Sequence, residues 1–563
     1  MKLQSPRWSD GIKTDVQESF GGINNTDGAR DGDIISAHNM TSDSFPVMST
    51  RGAREDYEPA KIICDAFSTE CIEREGAYDV ADRVVYLGRS GGGFYAAFEA
   101  EGQVYKSDMF LYGADKYSAV SFNRELLVYS DAGNVSIGFD EKNKKISITE
   151  LDFKTKVRIA VASDKNAGVS YIRIDTKDCF MTAGKVYTYQ YSDRKPFRFK
   201  VHSAEVMERI DIGNSTIIEV DYDSRFNVSS KLDEVLGEDE EGVEYYEATI
   251  GVDIPEFDCV CVNGDRVFAV SENKIYCSCS CDAASWYDYD ITTAARSFFA
   301  QIPAVSRFVG LTSYLGDVFF FTTEDVYRLY GTTPDTFSLV PLGTYGLEKS
   351  SSDSFGIAGQ RLFYVSPYGP VSFNGDVARL CGCELGRTEI KAAHGIGVGS
   401  KYYLSDGKLL YVYDSERKMW HTEDGEGIVS MLIVDGELVL FYGNGDALCH
   451  RVHRDARLGG SVTSKVEFAD FTEGSVGHIG TGEFALKTWL GAGASLSLYI
   501  SCDGGAYEKI WTCKDPGLHI NTVRYAPRVR CESYRLKLSG CGSWKLYMLK
   551  RSFRYESNIR YGG

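Results

Sequence analysis

Fifteen cysteines and eight histidines, in a chain carrying 80 acidic residues, are the raw material for metal, redox or acid–base chemistry. The tight cysteine groups are Cys259/Cys261, Cys277/Cys279/Cys281 and Cys381/Cys383, each spaced by a single residue. Zinc sites use C-x₂₋₄-C pairs with matching partners, whereas alternate residues of a strand share one face. The spacing predicts small, reduced strand residues and no metal. Histidines such as His38, His394, His421, His450, His453 and His478 form no H-E-x-x-H pattern. His450 and His453, three apart, would point to opposite faces of a strand.

Nucleophile and phosphate motifs are missing as well. No G-x-S-x-G elbow and no G-x-x-x-x-G-K-[ST] occurs, and Gly91-Gly92-Gly93 after Arg89-Ser90 reads as a hairpin loop. Two positioned carboxylates are all that most glycosidases need, but no motif singles out such a pair. Trp286, Tyr327, Phe363 and Trp420 could line a glycan groove; their place in or after repeating strands points instead to packing between blades. The expectation is a protein that is not an enzyme, with no catalytic, cofactor-binding or metal residues and no cofactor.

Composition narrows the class further. The 563 residues hold 61 Lys and Arg against 80 Asp and Glu, a net charge of −19, which argues against a surface that grips phosphates. Abundant Tyr (36), Phe (30) and Gly (57) with only 12 Pro suit many short strands joined by tight turns. The opening MKLQSPRWSDGIKTD has no apolar signal region, and no stretch of eighteen apolar residues follows. A chain made in a cytoplasm, without a membrane span, is expected.

The elements that would position any site repeat along the chain. Strand openings recur at Asp82-Arg-Val-Val-Tyr-Leu, Asn123-Arg-Glu-Leu-Leu-Val-Tyr, Gly264-Asp-Arg-Val-Phe-Ala-Val, Gly316-Asp-Val-Phe-Phe-Phe, Gly359-Gln-Arg-Leu-Phe-Tyr-Val, Ser400-Lys-Tyr-Tyr-Leu and Asp435-Gly-Glu-Leu-Val-Leu-Phe-Tyr. Their intervals are 41, 141, 52, 43, 41 and 35 residues; about 40 to 50 is one four-stranded propeller blade. The long interval predicts one blade plus an inserted domain, in which Tyr171-Ile-Arg-Ile, Lys185-Val-Tyr-Thr-Tyr and Thr216-Ile-Ile-Glu-Val read as strands and the acidic run from Gly237 as a solvated loop. After about residue 458 longer alternating strands, such as Ser495-Leu-Ser-Leu-Tyr-Ile, predict a sandwich.

The fold class that follows is all-β: a β-propeller of about seven blades with an inserted β-rich domain and a C-terminal β-sandwich. Its expected divisions are an N-terminal arm (1–58), blades (59–151), the insert (152–254), further blades (255–457) and the sandwich (458–563). The first sixty residues lack periodicity, and helices should be few and short, with no helical pattern sustained for three turns.

The arm carries Phe20-Gly21-Gly22-Ile23-Asn24, Ala37-His38-Asn39-Met40, Phe45-Pro46-Val47-Met48 and Arg51-Gly52. Downstream come Ser285-Trp286-Tyr287-Asp288-Tyr289, Val326-Tyr327-Arg328-Leu329-Tyr330-Gly331, Gly343-Thr-Tyr-Gly346, Leu362-Phe363-Tyr364-Val365-Ser366 and Gly369-Pro-Val-Ser-Phe373-Asn-Gly375. In this order they resemble bacteriophage tail and head-to-tail propeller proteins: the short-tailed phage nozzle (tail tubular B) and packaged-DNA stabilisation hub families. Arg530-Cys531 and Arg551-Ser-Phe-Arg-Tyr-Glu-Ser557 resemble the sandwich that closes many of these chains. Ser501-Cys-Asp503-Gly-Gly505 resembles the start of a sialidase Asp-box, but Glu508 replaces its usual Trp. It reads as a hairpin turn with Asp503 capping backbone N–H groups.

The resemblance implies a structural virion protein in the tail or neck, made in the bacterial host cytoplasm. It would assemble with itself into a ring, possibly a hexamer, against portal, adaptor or other tail proteins, with genomic DNA passing transiently through the lumen. The alternative is a host receptor- or glycan-binding tail-tip protein using the 152–254 insert as its recognition module. Behind both stands a glycan-degrading propeller enzyme.

Overall fold

The computed structural model describes the chain except residues 1–11, 82, 141–143, 153, 177–185, 192–200, 223–231, 238–242, 252–253, 287–295, 303–305, 444–449, 453–461, 473–477, 526–530 and 557–563. The acidic run after Gly237, Tyr287–Tyr289, Lys185, His453, Arg530 and Ser557 therefore lie outside the described residues. The fold is all-β, with seven four-stranded propeller blades, an inserted barrel and a C-terminal sandwich.

Each of the seven openings marks the second strand of a four-stranded blade: Arg83–Ser90, Glu125–Ser130, Arg266–Ser271, Asp317–Thr322, Arg361–Ser366, Lys401–Ser405 and Glu437–Tyr442. These are among the most buried strands, because both faces of a blade are covered. Alternate side chains then enter opposite seams. Leu126 and Val128 pack toward the first blade, whereas Leu127 and Tyr129 meet Val267, Ala269 and Trp286 of the third. Phe268 and Val270 face Val318 and Phe320 of the fourth. A strand covered on both faces reads as a continuous apolar run, which is why it shows in the sequence.

The chain divides into two compact units. One is continuous, Tyr78–Gly346, and holds nearly all of the first four blades and the insert. The insert is a closed barrel of six strands between Lys154 and Gly251, with a short helix at Leu232–Leu236. Val235 of that helix packs on Ala160 and Ala162, and the buried Arg173 guanidinium donates to the carbonyls of Val235 and Gly237.

The other unit, Met1–Ala77 with Leu347–Gly563, holds three blades and the sandwich. Its last blade is completed by the arm: Ile428–Val434, Glu437–Tyr442 and His450–Val452 are followed in the sheet by Arg54–Asp56. Ile34–His38 of the arm bridges the sixth blade and one sandwich sheet, running parallel to Met419–Asp424 and antiparallel to Thr463–Phe468. Met48–Thr50 and Ile12–Gln17 add to the opposite sandwich sheet through Trp544–Glu556. Between the two sheets lies an apolar layer that includes Phe484, Leu486, Leu498, Ile500, Leu538 and Trp544.

Two expectations change. The opening residues, which show no strand periodicity, supply strands to these sheets, and several of their partners lie hundreds of residues away. A 12-residue helix, α1 (Glu58–Thr69), exceeds three turns; its buried Ala60, Ile63, Cys64 and Phe67 show the i, i+3, i+4, i+7 spacing that the sequence reading passed over. Among the described residues no helix is long and apolar enough to cross a membrane.

Candidate functional site

The arm seats itself by backbone fit. Gly22 lies so close to the sixth blade that a Cβ there would stand 2.5 Å from Met419 Cβ and 2.7 Å from the Trp420 backbone. Ile23 N–H donates to the Trp420 carbonyl at 2.8 Å, and Phe20 and Ile23 are buried beside Trp420. Asn24 N–H donates to the Ile34 carbonyl, closing the arm on itself.

Met419–Asp424 presents alternate side chains to two environments. Trp420 enters the apolar core and Thr422 and Asp424 meet the arm, while His421 and Glu423 sit on the other face. Asp424 accepts from His38 Nε2 at 2.9 Å, Asn39 Nδ2 at 2.9 Å and Arg51 Nη2 at 3.0 Å. Asn39 in turn accepts from Arg51 Nε at 2.8 Å. Glu423 accepts from Arg54 Nη2 at 3.1 Å, with Arg51 Nε at 3.5 Å and His421 Nε2 at 3.7 Å; Arg54 also donates to the Tyr442 hydroxyl at 3.0 Å.

Nearby, Lys401 Nζ stands 2.7 Å from Asp43 Oδ1 and donates to Thr41 Oγ1 at 3.0 Å. Thr41, Asp43, Arg51, Ser400, Lys401, Tyr403 and Glu423 line one cleft between the arm and the sixth blade. Asp43 is the open group, with 40% of its side chain exposed, against 4% for Glu423.

The charges are settled by competition between burial and partners. Burial opposes an ionised Glu423, but the nearby His421 ring and the Arg54 and Arg51 charges outweigh it and bring its pKa down to about 2. Burial also opposes ionised Asp43, and Lys401 reverses this, so its pKa falls below the usual value. The His38 hydrogen bond leads the effects that lower Asp424. Burial keeps His421 below the ordinary imidazole value, hence neutral near pH 7. The cleft thus offers ionised acceptors and cationic donors side by side, suited to a neutral ligand rich in hydroxyl groups.

The residues singled out in the sequence fall elsewhere or enter differently. Trp286 is buried in the seam between the second and third blades, its Nε1 donating to the Ala283 carbonyl at 2.8 Å. Tyr327 packs in the next seam, and Phe363 stacks on Tyr402 with centroids 5.2 Å apart. Trp420 borders the site from within the core, donating to the Cys381 carbonyl at 2.6 Å. His38 and His421 belong to the charge network, while His394 lies 3.8 Å from Asp353. The side chains of His450 and His478 lie outside the described residues. Cys259, Cys261 and Cys277 pack between the third and fourth blades, and burial pushes the Cys277 thiol up to about 12. Among the described residues no cluster of three or more His, Cys, Asp or Glu could hold a metal. Asp503 accepts from the N–H groups of Glu532 and Ser533 at 2.9 Å each.

Sequence reasoning missed Asp43, Arg51, Arg54, Lys401, Glu423 and Asp424 as a group. The available signal was small: two acids ending a strand whose neighbours are apolar, and an Arg-x-x-Arg step in the arm.

No protein-family model matches the chain, and no curated protein matches it. Among solved structures it is similar to the exo-β-1,3-galactanase of Phanerochaete chrysosporium with galactose, at 10% identity over 82% of this chain and 95% of that one, TM-score 0.18. A variant of that enzyme with β-1,3-galactotriose gives 9% identity over 95% and 100%, TM-score 0.19. PorZ, a surface component of the type-IX secretion system of Porphyromonas gingivalis, gives 10% over 81% and 71%, TM-score 0.18. At these TM-scores the likenesses carry no argument about activity. With galactanases among these likenesses, the expectation that the chain is not an enzyme is left without support and is withdrawn.

Proposed function

We propose that the protein is a carbohydrate-binding propeller protein, the receptor- or glycan-binding component of a bacteriophage tail, and that it takes its ligand in the cleft between the arm and the sixth blade. One observation carries this reading: the Asp43 and Glu423 carboxylates, both held ionised, share a cleft with Lys401, Arg51 and Tyr403. Sugar hydroxyls donate to such carboxylates and accept from such cations, and a tyrosine ring adds an apolar surface for the sugar face.

A panel of host-surface polysaccharides tests it. The protein should be retained by at least one, and Asp43→Ala should weaken that binding by about tenfold or more, equivalent to about 1.4 kcal/mol. Its unfolding midpoint should stay close to that of the unaltered protein, because the Asp43–Lys401 pair is partly exposed. Failure of every glycan to bind, or an Asp43→Ala variant of full affinity, overturns the reading. The same panel, read for released sugar, tests cleavage.

A second reading, a structural ring component on the DNA exit path, is favoured by the use made of the arm residues that carry the phage resemblance. Phe20, Gly22, Ile23, Asn24, Asn39 and Arg51 all join the arm to itself or to the sixth blade. Sedimentation with portal or tail proteins should then show a discrete ring-sized assembly; an inert monomer at every concentration rejects it.

A further inference from the structure

We propose that Cys502 and Cys531 form a redox-active dithiol that closes to a disulfide on exposure to a hydroperoxide, with Cys502 as the attacking thiol and Cys531 as the resolving one. Cys502 ends the strand Ser495–Cys502 and is half-buried, whereas Cys531 is buried. Cys531 belongs to the sandwich core and Cys502 packs against the same cluster, with Cys502 Sγ 3.7 Å from the Tyr525 hydroxyl.

The backbone fixes this meeting. Asp503, at φ 47°, accepts from Glu532 and Ser533 N–H, and its own N–H donates to the Ser533 carbonyl at 3.1 Å. Cys502 is also in register with Tyr534 across the sheet. Each cysteine is therefore adjacent to a residue of the same clamp. The neighbouring Cys531 thiol lowers the Cys502 thiol to about 7, and the Tyr525 hydroxyl acts in the same direction. The other close thiols, Cys261 and Cys277, are sealed in an apolar seam and shifted upward by burial. Cys71, Cys281 and Cys383 are exposed.

In the first step the Cys502 thiolate attacks the outer peroxide oxygen. An S–O bond forms, the O–O bond breaks, and the departing oxygen leaves as an alcohol or water after taking a proton. Cys531 Sγ then attacks Cys502 Sγ, so that S–S forms and S–O breaks, releasing water that carries the Cys531 proton. Both sulfurs are oxidised and the peroxide is reduced.

The test treats the full chain with hydrogen peroxide, blocks remaining thiols by alkylation and maps peptides by mass. A Cys502–Cys531 linked pair, two hydrogens lighter and reversed by dithiothreitol, should appear at least about tenfold faster than oxidation of Cys71, Cys281 or Cys383. Cys531→Ser should leave Cys502 as a sulfenic acid trapped by dimedone. Alkylation of Cys502 and Cys531 at the rate of Cys71 after peroxide, or pairing of Cys502 with another cysteine, overturns the proposal.

Discussion

Glu423→Gln is expected to destabilise the unit that holds it by about 3–5 kcal/mol, read as a lower urea midpoint, because it removes one member of a buried ion cluster. Arg54, with only 7% of its side chain exposed, would be left facing a neutral amide, and Arg51, 8% exposed, would keep Asp424 as its one carboxylate partner. By contrast Asp470→Asn, at the half-exposed pair with Arg535, should cost no more than about 1 kcal/mol.

The same carboxylate sets an acid dependence. Its folded pKa, about 2, lies below the ordinary value of 4.5. The stabilisation is therefore complete above the unfolded pKa and disappears as pH falls from 4.5 toward 2. The size of the shift corresponds to about 3 kcal/mol. Glu423→Gln should flatten that part of the stability profile, and an unchanged slope would mean that Glu423 is not held ionised.

Gly397→Val is expected to abolish folding of the same unit, a cost above about 4 kcal/mol, with the protein recovered insoluble. A Cβ at Gly397 would stand 1.8 Å from the Ile357 carbonyl oxygen and 2.2 Å from its carbon, and one at Gly395 would stand 2.0 Å from the Ser354 oxygen. Neither obstacle is a side chain that can turn away. The opposing strand, Gly356–Ala358, is itself paired to Arg361–Ser366, so it cannot retreat without losing ladder bonds. Gly21→Ala is the control: nothing lies within 4 Å of its Cβ position, and its effect should stay within about 0.5 kcal/mol. Soluble Gly397→Val with an unchanged urea midpoint would refute the close packing.

What could be read from the sequence follows from these environments. The second strands were legible because burial on both faces writes an unbroken apolar run, as in Val318–Phe321. Strands of two or three residues, such as Met40–Thr41 or Arg54–Asp56, are too short to show a period, and their partners cannot be inferred from neighbouring residues. The cleft was illegible for a related reason. Glu423 and Asp424 look like a solvated strand end until Arg51 and Arg54, some 370 residues earlier, are placed against them. Gly395 and Gly397 each mark a backbone approach within a strand.

The completion of the last blade by Arg54–Asp56 has a consequence in time. That strand leaves the ribosome 394 residues before its partner begins at His450; at about 5–20 residues per second it waits about 20–80 s. The blades of Tyr78–Gly346 can pair locally as they emerge, each within a short stretch of chain. A strand made early is thus among the last to be placed, and a completed seventh blade certifies that translation passed residue 452.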